Sequence, residues 1–140
     1  MAGVNKLLID ADALVALRDE NDSNHSKAVE ISASISKLKP QLLISDPAFG
    51  EAVTVISQKK GINVAIKFAE EVLAGPAEFI EVDSHLRWSA LEIFKKQTSK
   101  NSRFTDCVNM AILKNKGADT IFSFDKQYKV NKFKRFGIDQ

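Results

Sequence analysis

Cysteine is almost missing from this chain. Cys107 is the only one, which excludes an intrachain disulfide framework. It sits in a helical apolar pattern and reads as a small buried hydrophobe rather than a reactive thiol. Long apolar runs are missing too, and none approaches the ~20 residues that span a bilayer. No segment joins the basic, apolar and small-residue parts of a signal peptide. The expectation is a protein of a reducing cytoplasm with no membrane attachment. A strong net charge is also lacking: 20 Lys+Arg against 18 Asp+Glu leaves a formal +2. Bulk charge therefore announces no nucleic-acid partner, and only local clustering could. There is no glycine-rich phosphate loop and no Ser–His–Asp or Cys–His grouping. There is no internal repeat, low-complexity tract or interdomain linker. At 140 residues and 44% apolar composition, residues 1–140 are expected to form one domain with a sizeable core.

What the chain does have is an alternation of short apolar runs and longer helical patterns. Residues 4–9 read as a first strand ending in Asp10, and Asp12 could cap a helix holding Ala13 to Leu17. Residues 19–24 are polar and turn-like, and Ser23 or Asn24 opens a second helix. Ala28, Ile31, Ile35 and Leu38 share one face of it at the helical period. Pro40 ends it, and residues 42–44 form a second strand. Asp46-Pro47 reads as a carboxylate N-cap followed by proline at the first helical position. That helix runs to Gly61, and another covers residues 62–73. Residues 79–82 are a short strand, 84–94 a helix, 105–115 a helix and 120–122 a fourth strand. The basic tail, with Phe133, Phe136 and Ile138, adds a short edge strand. Such alternation argues for a parallel sheet covered by helices, with its functional crevice outside the carboxyl ends of the strands.

Four acids sit where an apolar run ends or a helix begins: Asp10, Glu51, Asp106 and Asp125. Brought to one crevice they would repel, and a hard divalent cation held by oxygen ligands relieves that repulsion. Mg²⁺ or Mn²⁺ in such a place generates hydroxide and stabilises the oxygens of an in-line phosphoryl displacement. Singly, each acid reads as a helix cap, a dipole-satisfying carboxylate or a turn residue. Glu51 resists that reading most, because Phe49, Ala52, Val53 and Val55 suggest a partly buried helix. It is the set of four that favours a metal site.

The ordered segments LIDADALVAL (8–17), NHSKA (24–28), FGEA (49–52), FTDC (104–107) and FSFDK (122–126) resemble the PIN domain family. The resemblance is particularly to the small VapC-type toxin ribonucleases of bacterial and archaeal toxin–antitoxin pairs. It covers nearly the whole chain. It implies that Asp10, Glu51, Asp106 and Asp125 form an acidic metal site and that Ser123 supplies a nearby hydroxyl. It further implies RNA cleavage leaving 5′-phosphate and 3′-hydroxyl ends, a homodimer, and a cognate antitoxin that blocks the site. Asp12 stands where the family often has serine, threonine or asparagine. It is either a further ligand or only a cap. Asp46 reads as a cap.

Lys95, Lys96, Lys100 and Arg103 precede Asp106, and Lys126, Lys129, Lys132, Lys134 and Arg135 follow Asp125. Arg103, with Lys100 and Lys126, is the expected contact to an RNA backbone. Each lysine alone would pass as solvated surface. His25, His85 and Trp88 read as structural. Two rivals remain. Asp10-Ala11-Asp12 after a strand is similar to the nucleophile motif of haloacid-dehalogenase-like phosphatases, with Ser45 as a second motif. Leu14 departs from that pattern, and Glu51 and Asp106 would have no task. The other rival is a non-catalytic RNA- or partner-binding domain, which would retain four carboxylates at electrostatic cost. The expectation is thus a three-layer α/β/α domain, with a mostly parallel four- or five-stranded sheet, acting as a Mg²⁺- or Mn²⁺-dependent endoribonuclease.

Overall fold

A computed structural model describes residues 4–139. In chain order the elements are β1 (Lys6–Ile9), α1 (Ala11–Arg18), α2 (His25–Leu38), β2 (Gln41–Ser45), α3 (Asp46–Lys60), α4 (Ile62–Ala74), β3 (Glu78–Ile80), α5 (Ser84–Lys95), α6 (Phe104–Asn115), β4 (Thr120–Phe122), α7 (Lys126–Val130) and β5 (Lys134–Arg135). The five strands are all parallel and ordered β3-β2-β1-β4-β5. The edge strand expected in the tail is β5. The short helix α7 had no sequence signal, because five residues are too few to show a helical period.

Strand side chains alternate between faces, and that alternation builds two cores. Leu7, Ile9, Ile44 and Phe122 pack against α1, α2, α3 and α4. Leu8, Leu43 and Ile121 pack against α5, α6 and α7. Leu8 pairs in register with both Leu43 and Ile121, and all three are fully buried. Truncating such a side chain to alanine costs about 2–5 kcal/mol. The result is the three-layer α/β/α arrangement.

Two helix starts differ from the sequence reading. The N-cap of α1 is Asp10, whose Oδ1 accepts the Ala11 N–H at 2.7 Å, so Asp12 is not the cap. The N-cap of α3 is Ser45, whose hydroxyl accepts the Ala48 N–H at 3.3 Å. Asp46 is therefore the first helical residue rather than the cap. The Asp-Pro pair misleads because β2 runs one residue further and leaves the extended cap position to Ser45 (φ −77°, ψ 147°). His25 Nδ1 lies 2.7 Å from the Ala16 carbonyl oxygen and ties the start of α2 to α1.

The tail beyond β5 is locked at both ends. Gly137 has φ +75°, and a Cβ there would stand 2.8 Å from Ile31 Cγ1, so glycine is required on both counts. Arg135 is buried, donates to both Asp139 oxygens at 3.0 Å, and sends Nη1 to the Phe124 carbonyl at 3.1 Å. Strand order reverses between β1 and β4, with β2 and β3 to one side and β5 to the other. A crevice opens at the carboxyl ends of such a pair. Asp10 follows β1 and Ser123 follows β4.

Candidate active site at the carboxyl ends of β1 and β4

Asp10 is 5% exposed and lies on the crevice floor. Around it gather side chains from four other elements or their ends. Asn109 of α6 donates to Asp10 Oδ1 at 3.1 Å, and Tyr128 of α7 donates to Oδ2 at 2.8 Å. Ser123 lies 3.4 Å from Oδ2 and 3.1 Å from Asp12 Oδ2. The Tyr128 hydroxyl is also 3.3 Å from Asp106 Oδ1. Asp12, in the first turn of α1, accepts the Phe124 N–H at 2.8 Å. Asp125 caps α7 through the Gln127 N–H at 2.9 Å, and its own N–H reaches Ser123 Oγ at 3.1 Å.

This floor is short of positive charge, and its carboxyls respond. Burial raises the Asp10 carboxyl, with the charges of Glu51 and Asp125 adding to the shift and bonds from Tyr128 and Ala11 opposing it. Burial and then the Asp10 charge push Asp12 up to about 7. Burial, then Asp10 and Asp125, push Asp106 up to about 7. Tyr128, buried beside Asp10 and Asp106, is held well above the ordinary phenol value and keeps its proton. Among the described residues, two buried side-chain oxygens have no hydrogen-bond partner, Asp12 Oδ1 and Asp106 Oδ2.

The crevice wall is different. Glu51 faces Arg103 at 3.6 Å across an ion pair whose side chains are 40% and 68% exposed. Asp12, Glu51, Lys59 and Arg103 are among the residues lining a cavity of about 240 Å³. Lys100, Arg103, Asp125 and Lys126 line an adjoining cleft of about 610 Å³. Arg103 belongs to both. Of the other cations noted in the sequence, Arg135 is not free, being taken up by Asp139 and Phe124. Lys95 pairs with Glu92 at 3.1 Å. Asp46 makes no hydrogen bond or ion pair to the floor residues.

Asp10, Asp106, Asp125 and Ser123 thus meet at the floor, while Glu51 stands at the wall. Asp12 joins the floor. Among the described residues no three acidic, histidine or cysteine groups already stand as a metal cage. Their chemistry nonetheless fits a hard divalent cation: the donors are all carboxylate oxygens, they raise one another, and two buried oxygens lack partners.

Sequence reading missed Asn109 and Tyr128. Asn109 had a signal, being a lone amide among Cys107, Val108, Met110, Ala111, Ile112 and Leu113, three residues and so about one turn after Asp106. Tyr128 is the only tyrosine of the chain, three residues past Asp125. Ser45, considered above only as a phosphatase motif, instead caps α3 and donates to Asn109 Oδ1 at 2.7 Å.

Fold and crevice define a class, that of parallel α/β/α domains with an acidic pocket at the topological switch point. Within that class, residues 7–134 match the family model described as PIN domain, and the chain belongs to the PIN domain family. Two solved structures are similar to it. One is VapC20 of Mycobacterium tuberculosis, a sarcin–ricin-loop-cleaving toxin, at 22% identity and TM-score 0.82, over 91% of this chain and 95% of that one. The other is VapBC2 of Rickettsia felis, bound to a DNA fragment from its promoter, at 12% identity and TM-score 0.61, over 91% of this chain and 92% of that one. At such identities the likeness is one of fold. No curated protein sequence matches the chain. The phosphatase alternative gains nothing from these matches.

Proposed function

We propose that this protein is a Mg²⁺- or Mn²⁺-dependent endoribonuclease and the toxin of a toxin–antitoxin pair. The observation that carries the reading is the gathering of Asp10, Asp12, Asp106 and Asp125 in one crevice with two buried carboxylate oxygens unpartnered. Asp10 and Asp106 are the primary ligands, and Glu51 and Asp125 complete the set directly or through water. A divalent ion held there supplies an activated water and neutralises charge on the phosphate. Ser123 orients Asp10 and Asp12 through its hydroxyl.

Arg103, Lys100 and Lys126 hold the RNA backbone along the adjoining cleft. Arg103 would leave Glu51 for phosphate, an exchange that a half-exposed ion pair at 3.6 Å makes inexpensive. The half-exposed edge-to-face pair Phe94–Phe104, whose second ring follows Arg103 in the chain, offers a surface for an unpaired base. A cognate antitoxin and a homodimer belong to the same reading, and the Rickettsia felis neighbour, which is a VapBC protein, favours the former. No helix among the described residues is long and apolar enough to cross a membrane.

The test is cleavage of a labelled total-RNA pool with Mn²⁺ or Mg²⁺, wild type against Asp10→Asn, with EDTA as control. Discrete cuts lost in both the variant and EDTA support the reading. Cuts that persist equally in Asp10→Asn would sink it.

A further inference from the structure

Nine phenylalanines and a single tyrosine supply nearly all the aromatic rings of this chain. Packing alone is met everywhere else by phenylalanine, as at Phe122, Phe133 and Phe136. The one tyrosine, Tyr128, is fully buried, and its hydroxyl lies 2.8 Å from Asp10 Oδ2 and 3.3 Å from Asp106 Oδ1. A phenol has one hydrogen to give, and here it is shared between the two carboxylates, with Asp10 the nearer. Its direction is set from behind, because Asn109 Nδ2 donates to the Tyr128 oxygen at 2.9 Å.

Asn109 is itself fixed. Its second Nδ2 hydrogen goes to Asp10 Oδ1 at 3.1 Å, and its Oδ1 accepts from Ser45 at 2.7 Å. Ser45 is in turn held by the Ala48 N–H at the start of α3. Every donor in this buried line is used, and it ends on two carboxylates. A line of fully partnered polar groups inside a core holds its members in one arrangement.

We propose that Tyr128 is a positioning residue: anchored through Asn109 and Ser45, its hydroxyl holds Asp10 and Asp106 side by side in readiness for a divalent cation. This rests on the metal-nuclease reading above. Without the hydroxyl, two like-charged groups face each other with no hydrogen between them and separate. Partners that orient ligating groups are worth about 10- to 100-fold in metal affinity. The Tyr128 ring fills the same space as phenylalanine, so the effect can be isolated.

The experiment is calorimetric titration of the full chain with Mn²⁺, comparing wild type, Tyr128→Phe and Ser45→Ala, with thermal unfolding in EDTA alongside. The expected result is a Kd for Mn²⁺ about 10- to 100-fold weaker in Tyr128→Phe, a lower Tm in EDTA because the buried Asn109 Nδ2 hydrogen loses its acceptor, and cleavage that recovers as Mn²⁺ is raised. Ser45→Ala, which touches neither carboxylate, shifts the Kd in the same direction by less and carries the test should Tyr128→Phe not fold. An unchanged or tighter Kd in Tyr128→Phe overturns the assignment while leaving the nuclease reading in place. No Mn²⁺ binding by the wild type overturns both.

Discussion

The floor and the wall of the crevice carry similar residues under opposite conditions. On the floor, Asp10, Asp12 and Asp106 are largely withdrawn from water and partnered by neutral donors from Asn109, Ser123 and Tyr128. On the wall, Glu51 and Arg103 pair in the open. Exposed pairs contribute about 0–1 kcal/mol and are easily exchanged. Buried carboxylates without cations strain the protein and demand a counter-charge. On the function proposed above, the same residue type serves two ends, with the floor suited to a small hard cation and the wall to a long flexible polyanion.

The sharpest way to break this contrast is Asp10→Asn, which should reduce RNA cleavage to the level of the EDTA control, measured on labelled RNA. Next comes the pH response of the metal-free chain. Asp12 and Asp106 titrate near 7 when folded, against 3.8 as free side chains. Between those values the folded chain holds protons that the unfolded chain has released. Stability from this source is therefore greatest in the acidic carboxylate range and is lost as pH rises through about 7. Thermal melts in EDTA should show a lower Tm at pH 8 than at pH 5, and saturating Mn²⁺ should narrow the gap. A higher Tm at pH 8 without metal would contradict the account of the floor.

A third change addresses the wall. Arg103→Ala should weaken RNA binding several-fold and lower the salt slope by about 1, measured by titration across ionic strength. Unchanged affinity would remove Arg103 from the backbone contacts. The smallest effect is expected at the tail. Bonding to Arg135 holds the Asp139 carboxyl below its ordinary value. Its contribution is present above that ordinary value and fades as pH falls through the folded one. Asp139→Asn should lower Tm slightly at pH 7 and much less near pH 3.

The sequence made the acids legible because each stands at a boundary between patterns, such as Leu7-Leu8-Ile9 before Asp10 or Ile121-Phe122 before Ser123 and Asp125. Strand and helix alternation likewise showed the parallel sheet. The hydrogen-bond partners were hidden for a plain reason. Asn109 is 99 residues from Asp10 and Tyr128 is 118, and no local period records such pairing. Arg135 shows the converse, since a basic run looks uniform in sequence while one of its members is buried and fully engaged. Asp46 was misread because a local rule about proline holds equally one residue to either side.

The joining of β1 to β4 also bears on biosynthesis. Asp10 is made 113 residues before Ser123 and 118 before Tyr128. Contacts of such separation form late. A nascent chain halted before β4 could pair β1 with β2 and bring α6 to Asp10 through Asn109, yet would lack the Ser123 and Tyr128 bonds to that carboxylate. The Ser123 and Tyr128 bonds to Asp10 thus close only after β4 and α7 have been made.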